Sequence, residues 1–251
     1  TAVPGEFMTH YVTEGSMEVT LSGKDGKLIE TRTVGVGKGW LKLPAQGQQV
    51  KAEKASTLFI ITNSEPLVKE EIFERGKKET LNAAVFNPLS DYTVTKPWGC
   101  ENWYVDTDVY VFKGIRMNTG FECSLQLHEQ KIEVNLLLEG RAKLLLGQSK
   151  KANEAIAAHH KKGGKQSDFS MSVEEVEAIK SAIQPIVIGP GEGWKALNHD
   201  IHQVLSLETY YALEVSTPHV DDIIRLKDLY HRPGGRIESE HATSLHTPIP
   251  S

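Results

Sequence analysis

Cysteine is scarce in this chain, with only Cys100 and Cys123 among 251 residues. That excludes a disulfide-built scaffold, and the two sit in no CxxC pair that would hold zinc. Two reduced thiols fit a cytoplasmic protein. No apolar run approaches the length of a membrane span, and no basic-then-apolar leader opens the sequence. Positive charge is in deficit, the net charge being −5. No basic stripe stands out, so neither nucleic acid nor a membrane surface is an expected partner. A small phosphorylated molecule stays open, because a few local Lys or Arg residues suffice to hold one.

What is present is an ordinary globular composition, 39% hydrophobic and 24% charged, enough for one large or two small domains. Residues 8–62 read as short strands (MTHYVTEG, SMEVTLSG, ETRTVGVG, GWLKLPAQG, STLFIITN). They are rich in β-branched and aromatic residues and punctuated by Gly, Pro and Asn. Residues 64–94 read as a connector with one short helix. Strands return from 98 to 147 (ENWYVD, VYVFKGIRM, CSLQLH, EVNLLLEG, RAKLLLG). Residues 149–184 interrupt them. The lysine-rich part with His159 and His160 reads as a solvated loop with a mobile GGKQS stretch. SVEEVEAIKSAI reads as a helix capped by Ser172, with Glu174, Glu175 and Glu177 in its first turns and Val173, Val176, Ile179, Ala182 and Ile183 at helical spacing. Strands resume at PIVIG, HQVLSLE and YYALEVS. DDIIRLKDLYHR reads as a C-terminal helix, and the end, HATSLHTPIPS, as disordered.

The two strand runs resemble each other. GSMEVTL after VTE matches GRAKLLL after LLE, and a Gly-Trp pair (Gly39-Trp40, Gly193-Trp194) precedes a late strand in both. The expected class is all-β, with two small barrels or sandwiches in tandem.

The chemistry concentrates between Gly120 and Gly140. Gln126 and His128 are two apart and share one face of a strand, while Leu125 and Leu127 face the other way. Glu133 stands across the turn on the next strand. Imidazole, carboxylate and amide oxygen together suit a borderline or hard divalent metal. A fourth ligand must come from a distant strand, and His202 in NHDIHQV is the candidate.

This spacing resembles the first motif of the cupins, G-x5-H-x-H-x4-E-x6-G, with Gln126 in place of the first His. Gly191 and His202 match the interval of the second motif, whose usual Pro and Gly are replaced by Leu197 and His199. The expected fold is then two cupin barrels (double-stranded β-helix, or jelly-roll) in tandem, with a short helical insertion and a C-terminal helix. The boundaries are 1–63 for a degenerate first cupin, 64–94 for the connector, 95–232 for the second cupin with its insertion at 149–184, and 233–251 for a tail. Lys96-Pro97-Trp98-Gly99, Lys113, Ser124-Leu125-Gln126, His128, Glu133 and the DDIIRLKDLYHR ending are similar to the cupin domain of type II phosphomannose isomerases. That resemblance covers roughly residues 94–232 without the insertion.

It implies one divalent metal, zinc first, with Fe, Mn, Ni or Co as alternatives, held by Gln126, His128, Glu133 and His202. It implies a phosphorylated sugar or sugar nucleotide as ligand, with Lys96, Lys113 and Arg225 toward the phosphate, and aldose–ketose isomerisation through an enediolate. Glu139, Lys131 or a metal-bound hydroxide is the expected base. Another metal-dependent cupin enzyme, such as a dioxygenase, and a non-catalytic sugar-binding bicupin are the alternatives.

In the first barrel the same alignment places Met8 at the position of Glu133, Val50 at that of His202, and Thr1 and Val3 at those of Gln126 and His128. That barrel is expected to be metal-free. It begins inside its first motif, so its opening strands are expected to be missing or supplied by another chain, and a homodimer follows from such strand exchange. His10 is expected to pack rather than ligate, His199 to line the pocket mouth or occupy a turn, and His241 and His246 to be solvated. Trp98, Trp103 and Trp194 are expected to pack in the core more than to stack a sugar.

Overall fold

The computed structural model describes residues 5–63, 65–68, 71–90, 92–242 and 245–246. They form two compact units. The first takes in the described residues up to 90 together with Tyr104–Tyr110, and the second those of Tyr92–Trp103 and Val111–His246. Thr1 and Val3 lie outside the described residues. Among the described residues no helix is long and apolar enough to cross a membrane.

The first unit contains β1 (Met8–Glu14), β2 (Ser16–Ser22), β3 (Leu28–Gly35), β4 (Gly39–Lys42), β5 (Gly47–Ala52), β6 (Thr57–Thr62), β7 (Phe73–Glu74), β8 (Glu79–Thr80) and β9 (Asn87–Pro88). They form one sheet in the order β6-β1-β4-β9 and a second in the order β3-β2-β5, and β7-β8 is a separate hairpin. The alternating burial of β2 sends Met17, Val19 and Leu21 to a core shared with Val12, Val34, Trp40 and Phe86. The helix expected in 64–94 is corrected. Among the described residues that stretch holds only short strands, and its ERGKK run is a turn in which Lys78 takes φ +57°.

His10 is 1% exposed and lies 4.4 Å from Trp40, ring on ring, so it packs as expected. Burial, with the Lys42 ammonium adding to it, pushes its imidazole down to about 4. A depressed histidine favours the neutral form in the fold. Its stabilisation is therefore complete above pH 6.5 and is lost as pH falls toward 4. Between pH 7 and pH 5 the chain is expected to lose about 2 kcal/mol more than a His10→Gln variant, read from urea unfolding at the two pH values.

The second unit contains β10 (Tyr92–Lys96), β11 (Gly99–Asp106), whose last residues count with the first unit, β12 (Val111–Met117), β13 (Leu125–Leu127), β14 (Glu133–Glu139), β15 (Ala142–Gly147), α1 (Lys150–Lys161), α2 (Val173–Ala182), β16 (Ile186–Ile188), β17 (Gly193–Ala196), β18 (Ile201–Ser206), β19 (Tyr210–Ser216), β20 (Ile224–Lys227), α3 (Glu238–Ala242) and β21 (Leu245–His246). One sheet has the order β17-β14-β19-β12-β11-β10-β21 and faces another of order β16-β15-β18-β13-β20. Between the sheets lie Ile115, Met117, Leu137, Leu144, Val204 and Tyr210. This is the expected jelly-roll.

The insertion is more ordered than a loop. α1 starts at an N-cap on Ser149 and carries His159 and His160 in its last turn, and a single 3-10 turn occupies Gln166–Asp168. α2 begins with the capping box of Ser172 and Glu175. Ala152 and Ile156 of α1 and Val176 and Ile179 of α2 cover Leu125, Leu127, Ile201, Ile224 and Leu226. Where these helices roof it, the outer face of the five-stranded sheet is apolar.

DDIIRLKDLYHR is not a helix. Ile224–Lys227 is a strand paired with β13, Gln126 opposite Arg225. Ile224 and Leu226 face the apolar roof, a period of two that the charges spaced three apart had disguised. The C-terminal helix is the short α3 instead. Much of HATSLHTPIPS lies outside the described residues.

The repeat extends to strand register. Met8 pairs with Lys42 and Tyr11 with Gly39, as Glu133 pairs with Ala196 and Leu136 with Gly193. Gly15 and Gly140 turn the two equivalent hairpins at φ +77° and +81°. A Cβ on Gly140 would lie 2.0 Å from the Thr209 carbonyl oxygen, so glycine is required there. The register overturns one alignment. Leu21 pairs with Gln48 as Leu146 pairs with His202, so the counterpart of His202 is Gln48. Val50 is 37% exposed and stands two positions further along β5. The matching glycine is Gly193 at the strand start, not Gly191 in the turn before it.

Candidate metal centre

β13 and β18 adjoin in one sheet and β14 faces them from the other. That brings His128, just after β13, against Glu133 at the head of β14 and His202 in β18. All three are buried, and donor atoms of the three lie within 4.8 Å of one another. His202 Nε2 is 3.3 Å from Glu133 Oε1, and His128 Nε2 is 3.6 Å from Glu133 Oε2.

Both imidazoles are oriented from behind by backbone. His128 Nδ1–H donates to the Asp222 carbonyl, and His202 Nδ1–H donates to the Asp200 carbonyl at 3.2 Å. A carbonyl only accepts, so Nδ1 carries the proton in each ring and Nε2 presents a lone pair inward. Burial pushes His202 down to about 4 against the pull of Glu133, leaving it neutral as a metal ligand must be. Burial alone would push the Glu133 carboxyl up. The Lys131 ammonium, with His202 and His128, outweighs that and holds it well below the usual carboxylate range. His128 Nε2 is buried without a hydrogen-bond partner, an arrangement that costs free energy unless another electrophile meets it. A divalent cation fits that place and this donor set.

Gln126 completes the rim. Its Oε1 accepts from Ser124 Oγ at 2.6 Å and its Nε2 faces His202 Nε2 at 3.2 Å. A half-turn of the amide would present Oε1 to the histidines instead. His199 occupies a turn. It takes φ +66° where glycine is usual, and its N–H donates to the His128 carbonyl at 2.7 Å.

Above the cluster opens a cavity of about 730 Å³, its mouth included. Lys96, Lys113, Lys131, Arg225 and Arg232 line it against Glu101, Glu133 and Glu214. Both substrate-side candidates are in ion pairs, Lys113 buried and Lys96 half-buried. Lys113 Nζ is 3.6 Å from Glu101 and from Glu214 and sits 4.2 Å over the Trp103 ring. Burial raises the Glu101 carboxyl, but Lys113 and Lys96 override it and hold it at about 2. Lys131 bonds Glu133 and lies 3.0 Å from Glu214. Burial would lower this ammonium, and the two carboxylates raise it above its ordinary value. Arg225 is buried, with Nη1 donating to the Pro233 and Gly235 carbonyls. Glu139 is exposed at the far end of β14 and is not among the lining residues. Trp98 and Trp103 are buried, as expected; Trp98 and Trp194 both line the cavity, Trp194 5.5 Å from His202 ring to ring.

Reading the sequence missed Glu214 and Glu101, which belong to no motif, Arg232 at the end of DDIIRLKDLYHR, and the role of Asp222. The Asp222 carboxylate accepts the N–H groups of Gln130 and Lys131 and the Gln166 amide, while its carbonyl orients His128. Gln166, with His160, also bonds Glu129. The insertion is thereby tied to the ligand loop, and His160 is not simply solvated. Gln166→Ala is expected to weaken metal binding by about 10-fold, the low end for residues that orient ligands, measured by competition with a chelating dye.

Scanned against protein-family models and against curated proteins, the sequence finds no match in either. Solved structures do match. Oxalate decarboxylase from Bacillus subtilis, in a study of its Mn(II) centres, superposes with a TM-score of 0.56 at 10% identity, over 89% of this chain and 66% of that one. Oxalate decarboxylase from Lactobacillus farciminis, as a formate complex, gives 0.56 at 12% identity, over 89% and 74%. The chain thus spans just under two thirds of the Bacillus enzyme. These neighbours show the tandem cupin fold. The phosphomannose isomerase resemblance rests on its motifs alone.

Proposed function

We propose that this chain is a metal-dependent isomerase of a phosphorylated sugar. One observation carries the reading: a buried His128–Glu133–His202 cluster with an unpartnered Nε2, two of whose members, Glu133 and His202, line a cavity that also holds five cations. Zinc remains the first candidate. The five lining cations suit the charge of a sugar phosphate.

Lewis-acid stabilisation of the negative charge on enediolate oxygens is the chemistry the bound metal supplies. The chain's own residues divide the rest. Lys131, held charged by Glu133 and Glu214, supplies positive charge and is not a base. Glu101 is too weak a base at about 2, and Glu133 is a ligand. Glu214 is left as the carboxylate that carries the proton from the carbon beside the aldehyde to the aldehyde carbon, a hydroxyl proton moving between the two oxygens. Assembly as a homodimer belongs to the same reading and is checked by light scattering.

Incubation of metal-loaded protein with mannose 6-phosphate or fructose 6-phosphate in deuterated water is expected to place deuterium at the exchanging carbon. No deuterium with zinc, manganese, iron, cobalt or nickel sinks the reading for these substrates.

A second reading follows from the oxalate decarboxylase likeness, since the same cations would also hold a dicarboxylate. Release of carbon dioxide from oxalate by the manganese-loaded chain would favour it.

A further inference from the structure

Glu240 on α3 reaches two residues that line the cavity. Its Oε2 accepts from Lys96 Nζ at 2.7 Å and its Oε1 from Arg232 Nη1 at 3.2 Å. An ammonium and a guanidinium converging on the two oxygens of one carboxylate is the arrangement of an anion pocket. Here the anion comes from the protein itself.

The helix that carries it is weakly held. α3 has five residues and none is buried. Its contacts beyond the Glu240 pairs include an ion pair of the exposed Glu238 with Arg236 at 3.2 Å and the ring of His241, which lies against Tyr92 and meets the Trp103 ring edge-on. Elements with so little buried apolar surface open at low cost. The segment leading to α3 is anchored more firmly, through the Arg225 bonds to Pro233 and Gly235, so α3 has a fixed root and a releasable tip.

Charge points the same way. Five cations and three carboxylates line the cavity. Withdrawing Glu240 leaves Lys96 without its shortest ion pair, since Glu101 is 3.7 Å away. Arg232 keeps Asp228 at 2.6 Å and frees the edge of its guanidinium that faced Glu240. A phosphate monoester, with more charge and more acceptor oxygens than a carboxylate, is the better ligand for that pair.

We propose that Lys96 and Arg232 form the phosphoryl subsite of the cavity and that Glu240 fills it in the unliganded chain, so that a phosphorylated substrate binds by displacing α3. This rests on the sugar-phosphate reading for its ligand class but not on turnover. It places Lys96 at the phosphoryl group and adds Arg232, while Arg225 serves as the root of the strap.

The test is calorimetric titration of inorganic phosphate into the full chain, metal-loaded, for wild type, Glu240→Gln and the double variant Lys96→Met/Glu240→Gln, with melting temperatures measured alongside. Glu240→Gln keeps the shape of the side chain and removes its competing charge. It is expected to bind phosphate about tenfold more tightly than wild type, and the double variant to lose that gain. In the unaltered chain, saturating phosphate is expected to speed backbone hydrogen exchange across residues 236–242. Unchanged or weaker phosphate affinity in Glu240→Gln overturns the inference, as does exchange that phosphate leaves unchanged or slows. Both readouts are independent of catalysis. Tighter phosphate binding without any isomerisation leaves the subsite standing and removes the isomerase, and isomerisation with no effect of Glu240→Gln does the reverse.

Discussion

His128→Ala is expected to strip the chain of its divalent metal. Residues that only orient a metal ligand are worth about 10–100-fold in affinity, so removing a ligand outright is expected to weaken binding by more than about 100-fold, read by chelator competition. Stability of the metal-free protein is expected to move far less than affinity. The imidazole leaves behind the Asp222 carbonyl it bonded, but it also removes a buried nitrogen that had no partner. Loss of fold without loss of affinity per folded molecule would show that His128 only packs. The same substitution is expected to abolish deuterium exchange into sugar phosphates.

The second large effect concerns Lys131. Its ammonium is buried between Glu133 and Glu214, and Lys131→Met leaves two carboxylates facing each other without their shared cation. Breaking a buried ion pair from one side costs about 3–5 kcal/mol. The metal-free variant is expected to lose that much in denaturant unfolding. Saturating metal should restore much of it, because a divalent ion at Glu133 takes over part of the neutralisation and binds only the folded chain. A deficit that metal leaves untouched would mean that Lys131 serves Glu214 alone.

How much of this was legible in the sequence depends on how local each signal is. Gln126, His128 and Glu133 lie within eight residues, and their spacing converts directly into one face of a strand and the strand across the turn. His202 was found because its interval from Gly191 matches a motif, although the first-barrel alignment built on that glycine slipped by two positions and named Val50 where Gln48 stands. A slip of two keeps the same face of the strand, so the burial pattern gave no warning. α2 announced itself through Ser172 and Glu175. α1 did not, because only Ala152 and Ile156 of its twelve residues are buried, too thin a stripe to read inside a lysine-rich run. DDIIRLKDLYHR failed for a different reason. Asp222, Arg225 and Asp228 are spaced as on a helix, but Asp222 caps the turn at Gln130 and Lys131 from a distance in sequence that no local pattern encodes. The same holds for Glu101 and Glu214, which reach the cavity through sheet order rather than through any motif.

The measurement that bears most directly on the whole account is anomalous diffraction from crystals of the metal-loaded chain. One strong peak is expected in the second barrel, within bonding distance of His128 Nε2, His202 Nε2 and a Glu133 oxygen, with the Gln126 side chain beside it. A peak elsewhere, or none there in protein shown by elemental analysis to carry metal, would contradict it.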